Sequence, residues 1–183
     1  MPFEVVLDTC ALYPAHLRDT LLRLAERGLY RNLWSGEIIE ELDRSLIRAG
    51  ISPDSVERLI AEMRGAFPDA EVTGYLPLVD SMTCDHKDRH VLAAAVRSNA
   101  AAVVTFNVGD FPSASTDPFD VDIIHPDAFL LDLLDLAPPI VIAEIRDQAA
   151  ANRREPQTLE SLLDALGTAG VPNFAGEALK RAL

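Results

Sequence analysis

Apolar residues recur along this chain in two rhythms. Short runs such as Val5-Val6-Leu7, Ala102 to Phe106 and Val121 to Ile124 are apolar almost throughout, as in strands buried on both faces of a parallel sheet. Between them, apolar positions repeat every three or four residues and mark the inner faces of helices. Pro14 opens the first helical stretch, with Leu17, Leu21, Leu24 and Ala25 inward and Gly28 as its stop. Ser35 is a good N-cap for a second, 36–48, with Ile38, Leu42 and Leu46 on one face and Gly50 at its end. Ser52-Pro53 starts a third through Met63, with Val56, Leu59, Ile60 and Met63 inward. Asp85 caps a fourth, 86–98, which buries Val91, Leu92 and Ala95 and leaves through Asn99. Tyr30 to Trp34 and residues 70–75 read as two further strands.

Strands alternating with helices imply parallel crossovers and a sheet covered on both faces. After residue 126 the strand signal ends. Pro126 opens a helix through Leu136, Ala137-Pro138-Pro139 breaks it, and three further helices run to Leu183. The predicted architecture is therefore α/β: a three-layer fold over 1–136 with a central parallel sheet flanked by helices. A helical C-terminal extension, 137–183, packs on it. No internal repeat is visible, and the one biased segment is the polar link 151–157.

Composition narrows the function. A chain of 183 residues suits one well-cored domain. Its apolar runs are too short to span a membrane, and its first residues lack the basic start and apolar core of a signal peptide. They read as the head of the first strand. The two cysteines, Cys10 and Cys84, form no C-x-x-C, which fits free thiols in a reducing cytoplasm. The net charge of −13 opposes unassisted binding to a polyanion. A nucleic-acid enzyme with this balance needs bound cations or a local basic rim.

The acids fall where chemistry would need them. Asp8 directly follows the first strand, and Asp110 follows the strand ending at Phe106. Glu41 lies within the second helix, one residue before the inward Leu42, and Asp88 lies in the first turn of the fourth. Ligands of parallel sheets bind beyond the carboxyl ends of the strands, so four acids from four elements can converge there. Clustered carboxylates repel one another, and a common reason to keep them together is a hard divalent cation. Each has a plainer role: Asp8 and Asp110 as turn residues, Glu41 on a solvated face with Glu37, Glu40 and Asp43, and Asp88 as a capping partner of Asp85.

In order, the runs Val5-Val6-Leu7-Asp8-Thr9-Cys10-Ala11-Leu12, Leu33 to Leu42, Lys87-Asp88-Arg89-His90-Val91-Leu92-Ala93-Ala94-Ala95 and Val104 to Pro112 resemble the motif set of PIN domains. The best match is to the branch that includes VapC-like toxins of type II toxin–antitoxin systems, and it covers roughly residues 3–136. The resemblance implies a metal-dependent endoribonuclease whose carboxylates, Asp8, Glu41, Asp88 and Asp110, hold Mg²⁺ or Mn²⁺. Thr9 would line the first position. Asn107 stands where many members have an acid and would be auxiliary. Asp80 and Asp85 compete with Asp88 for the third position, and the local run favours Asp88. The partners implied are RNA and a small antitoxin protein with a basic residue entering the acidic pocket, and a homodimer is compatible with both. Arg18, Arg23, Arg27, Arg44, Lys87 and Arg89 are the candidate phosphate contacts.

Other chemistry finds less support. There is no G-x-x-x-x-G-K-[ST] or G-x-G-x-x-G loop. His86 and His90 stand four apart, but the flanking charges favour a solvated helix face over a metal pair. Cys10 has no visible base and reads as a buried thiol. The rival functions are a catalytically silent PIN-like or receiver-like acidic module and a DNA structure-specific nuclease.

Overall fold

A computed structural model describes residues 3–182. Met1 and Pro2, at the head of the predicted first strand, and Leu183, at the end of the last helix, lie outside the described residues. The chain forms two compact units, one of residues up to Tyr13 together with Arg31–Ile124, the other of Pro14–Tyr30 and the residues from His125 on.

The first unit is built on a five-stranded sheet in the order β3-β2-β1-β4-β5: β1 (Glu4–Leu7), β2 (Arg31–Ser35), β3 (Glu71–Val72), β4 (Ala102–Val104) and β5 (Asp122–Ile124). Every pairing is parallel. Its helices are α1 (Thr9–Leu12), α3 (Gly36–Arg48), α4 (Pro53–Ala66), α5 (Arg89–Ser98) and the short α6 (Ser113–Thr116). The chain steps outward from β1 to β2 to β3, then returns to β4 on the other side of β1. Crossovers between parallel strands are right-handed, so this reversal carries α5 to the face opposite α3 and α4. The result is the expected three layers. The core is Val5, Val6, Leu7, Trp34, Val103 and Val104 from the strands, with Ile38, Leu42, Val91 and Leu92 from the helices.

Local signals set the ends of these elements. The Ser35 hydroxyl accepts from the Ile38 N–H at the start of α3, and Ser52 does the same for Ser55 at the start of α4. Asn99 ends α5 in the left-handed region, at φ 55°. Several boundaries depart from expectation. The predicted strand over 70–75 shrinks to Glu71–Val72, and the helix predicted from 86 begins as a 3₁₀ turn, His86–Asp88, before α5 proper. Leu59, expected inward on α4, is only half-buried. α1, directly after β1, had no signature of its own; Asp8 makes it by capping its first N–H.

The second unit is all helical: α2 (Ala15–Glu26), α7 (Pro126–Leu136), α8 (Pro138–Ala151), α9 (Leu159–Thr168) and α10 (Pro172–Ala182). The contacts thus group α2 and α7 with the tail helices, whereas the sequence attached both to the sheet and divided the chain after 136. The buried hydroxyl of Thr20 on α2 reaches Gln148 Oε1 on α8 at 2.7 Å. Tyr30 stacks edge-on against Phe129, with ring centroids 5.0 Å apart, and its hydroxyl donates to the Leu21 carbonyl. Among the described residues no helix is long and apolar enough to cross a membrane.

Candidate active site

The sheet has one topological switch point, between β1 and β4, and crevices at such points are where open parallel sheets bind ligands. The register pairs Leu7 with Val104, so the next residues, Asp8 and Thr105, come side by side beyond the strand ends. The Asp8 N–H donates to the Val104 carbonyl at 3.1 Å. Asp8 is 4% exposed and its carboxylate is firmly held. Oδ1 accepts from the Thr9 N–H at 2.7 Å, and Oδ2 accepts from the Thr105 hydroxyl at 2.7 Å and from Cys10 Sγ at 3.3 Å. Burial and the adjacent Asp8 charge push the Cys10 thiol up to about 11, which leaves it protonated and unreactive, as a packed thiol should be. Both cysteines are free.

Glu41 approaches from α3. Its Oε2 lies 2.9 Å from the Thr9 hydroxyl and its Oε1 3.1 Å from His90 Nε2. Burial opposes ionisation of Glu41, but the His90 hydrogen bond and charge, then Thr9 and Arg44, hold it below the usual range. His90 corrects an expectation. It does not lie on a solvated helix face with His86 but is 5% exposed, with its Nε2 against Glu41. Burial works to lower its pKa, yet Glu41 and then Glu37 and Asp8 raise it. Tyr75 extends the chain of contacts by donating to Glu37 Oε1 at 3.2 Å.

Asp88 ends the 3₁₀ turn at the mouth of α5. It occupies the N-cap position of that helix but makes no side-chain capping bond. The capping falls to Asp85, whose Oδ1 accepts from the Lys87 N–H at 3.1 Å. Asp88 is 8% exposed, and its Oδ2 has no hydrogen-bond partner among the described residues. Lys87 Nζ stands 3.9 Å from that oxygen and 2.9 Å from Asp110 Oδ2. Burial raises the Asp88 pKa to about 6, reinforced by Asp8 and opposed by Lys87. Asp110, by contrast, is lowered by its hydrogen bond to Lys87.

These side chains open on a cavity of about 690 Å³ lined by Asp8, Thr9, Glu41, Asp88, Lys87 and Asn107, together with Cys10, Tyr13, Ser45, Arg48 and Ala49. Three of the four predicted acids therefore share one wall. Asp110 is not part of the lining and is tied to it through Lys87. Arg18, Arg23 and Arg27 belong to the second unit, where Arg18 is buried, Arg23 pairs with Asp19 and Arg27 with Glu144. Arg44 is exposed on α3, 3.9 Å from Glu40. Arg89 is half-buried, with an Nε that makes no hydrogen bond. Sequence reasoning missed Thr105, His90 and Arg48. A threonine next to Asp8 in the sheet register could have been found from the strand pairing; Arg48 has no signal beyond its place one turn past Ser45 on α3.

The fold and this pocket define the class. Residues 4–109 match the PIN domain family, and the chain belongs to it. Residues 126–180 match a second family, the VapC50 C-terminal domain. The chain is also 47% identical over 105 residues to a protein of Mycobacterium tuberculosis named "Putative ribonuclease VapC50". That stretch is 57% of this chain and 62% of the relative, so the chain spans less than two thirds of the relative's length. No solved structure matches the chain.

Proposed function

We propose that this protein is a cation-dependent endoribonuclease that hydrolyses RNA phosphodiester bonds, acting in the cytoplasm as the toxin of a toxin–antitoxin pair. The observation that carries the reading is Asp88: a buried carboxylate that lines the same cavity as Asp8 and has an oxygen with no hydrogen bond among the described residues, only the Lys87 ammonium 3.9 Å away. A buried carboxylate that lacks hydrogen bonds is costly, and a cation bound by Asp88 would reduce that cost.

The donor set fits a hard cation. Among the described residues no three acidic, histidine or cysteine side chains are gathered tightly enough to cage a metal unaided. Mg²⁺ does not require that, since it keeps several waters and is held through one or two carboxylates with substrate phosphate. Asp8 and Asp88 would hold Mg²⁺ or Mn²⁺. Asp110 would join when Lys87 turns away, and Glu41 would act across a water. The chemistry such an ion supplies is activation of water and polarisation of a phosphodiester.

The chain's own residues do the rest. Asp8 is pre-ordered by Thr9 and Thr105, so it needs no reorganisation to meet positive charge. Lys87 and Arg48 line the same cavity as the acids and supply the local basic rim that a chain of net charge −13 needs to position a phosphate backbone. Thr9 and Asn107 complete the wall. Without RNA, the same acids suit the guanidinium or ammonium of an antitoxin, which can pair bidentately with carboxylates. The relative's name supports the ribonuclease reading.

Purified protein is expected to cleave total cellular RNA with Mg²⁺ or Mn²⁺ and to stop with EDTA. Asp8→Asn should lower the rate by about 10²–10⁴-fold. Cleavage that persists in EDTA or in the Asp8→Asn protein would refute the assignment.

A further inference from the structure

Glu41, like Asp8, has both carboxylate oxygens engaged by the protein. Its Oε2 faces the Thr9 hydroxyl at 2.9 Å and its Oε1 faces His90 Nε2 at 3.1 Å. On the same helix Glu40 is exposed and stands 3.9 Å from Arg44. A glutamate on a helix surface samples many rotamers, and fixing one costs side-chain entropy. Two donors from two other elements, α1 and α5, meet that cost here.

His90 is built for this task. It is 5% exposed, and its Nδ1 makes no hydrogen bond, lying 3.8 Å from Glu37 Oε2. Its one close polar contact is therefore with Glu41. A buried imidazole kept only for packing would be better replaced by an apolar side chain, because burying a polar ring without full satisfaction is unfavourable. With one lone pair on each oxygen engaged, Glu41, which lines the cavity, keeps further lone pairs. Those can accept from a water.

We propose that His90 is a positioning residue for the reaction: its Nε2–H, with the Thr9 hydroxyl, locks Glu41 so that the carboxylate aligns the attacking water. The proposal rests on the ribonuclease reading above. It assigns His90 no contact with substrate and no share in holding the cation, which stays with Asp8 and Asp88.

The test is a mutant cycle between His90 and Glu41. His90→Phe fills the volume without a donor, and His90→Gln restores a donor near the Nε2 position. Cleavage is followed on total cellular RNA and then on an oligonucleotide spanning the first site cut, with Mn²⁺ affinity measured by titration calorimetry. His90→Phe and Glu41→Gln should each lower kcat by roughly 10–100-fold with KM within about twofold. The double variant should be no slower than the worse single, since the two act as one unit. His90→Gln should recover most of the rate, and Mn²⁺ affinity should stay within about twofold in all His90 variants. Losses that multiply in the double variant overturn the proposal. So does a His90→Gln protein as slow as His90→Phe, or a tenfold loss of Mn²⁺ affinity. A wild type that does not cleave RNA removes the ribonuclease reading and this proposal together, whereas a cleaving wild type with an additive cycle removes only the role of His90. If His90→Phe does not fold, the His90→Gln and Glu41→Gln pair decides on the same readouts.

Discussion

Each unit of this molecule buries an aspartate, and the two are treated in opposite ways. In the helical unit, Asp127 is 6% exposed and every lone-pair direction that matters is used. Oδ1 accepts from the Phe174 N–H at 2.7 Å, and Oδ2 from the Asn173 N–H at 3.2 Å and side-chain amide at 2.7 Å. These donors lie in the first turn of α10, so Asp127 satisfies helix N–H groups that would otherwise be orphaned and meets the positive end of the dipole. In the sheet unit, Asp88 is 8% exposed and also sits at a helix start, yet its side chain makes no capping bond and its Oδ2 has no hydrogen bond among the described residues, with Lys87 3.9 Å away. Similar burial thus serves two ends. Asp127 has its bonds completed by the helix it caps, whereas Asp88 keeps an oxygen without a hydrogen bond, 3.9 Å from the Lys87 ammonium.

Removing Asp127 gives the largest expected effect. Asp127→Ala strands the N–H groups of Asn173 and Phe174, and hydrogen bonds to a charged group are each worth roughly 1.5–3 kcal/mol. Denaturant unfolding should show a loss of about 3 kcal/mol, while any cation-induced stabilisation is unchanged. Asp88→Asn should go the other way. With a folded pKa of about 6 against an ordinary 3.8, Asp88 holds its proton more tightly in the folded protein. Its contribution is therefore favourable at low pH and is lost as pH rises through 6, where the folded chain must ionise it. Without metal, Asp88→Asn should match the wild type near pH 4 and exceed it above pH 6. The gain in Tm should be about 2–4 °C, equivalent to roughly 1 kcal/mol in a chain of this size. A mutant that melts lower than wild type at pH 8 would make Asp88 an ordinary structural acid. Smallest is Asp85→Ala, which removes one exposed capping bond and should cost about 0.5 kcal/mol, the low end for N-cap loss.

Much of this contrast was legible in the chain. The order strand-acid, helix-acid, helix-acid, strand-acid brought Asp8, Glu41 and Asp88 together, and they line one cavity, because strand ends and helix starts are written locally in apolar runs and caps. What could not be read was long-range. Asp85 was readable as the cap, and it is; the 3₁₀ turn that shifts the start of the α-helix to Arg89 was not, since nothing in Asp85-His86-Lys87-Asp88 signals it. His90 looked solvated because its sequence neighbours are charged; its burial is decided by α3, which packs from more than forty residues away. Arg18 looked available for phosphate because the charge of an arginine is visible in sequence and its burial in the helical unit is not. Asp127 attracted no attention at all, since its partners Asn173 and Phe174 lie 46 and 47 residues downstream.

The central claim is that Asp88, left without a hydrogen bond on Oδ2, takes a divalent cation, and thermal unfolding in EDTA and in saturating Mn²⁺ tests it most directly. A ligand that binds only the folded state stabilises it by RT ln(1 + [L]/Kd), about 2.7 kcal/mol at a hundredfold excess over Kd. The wild type, Asp85→Ala and Asp127→Ala should all show that upward shift. Asp88→Asn should start higher in EDTA above pH 6 and lose most of the shift in Mn²⁺. An Asp88→Asn protein that melts lower in EDTA and keeps the full Mn²⁺ shift would contradict the claim and move the search for the ligand to Asp85 or Asp80.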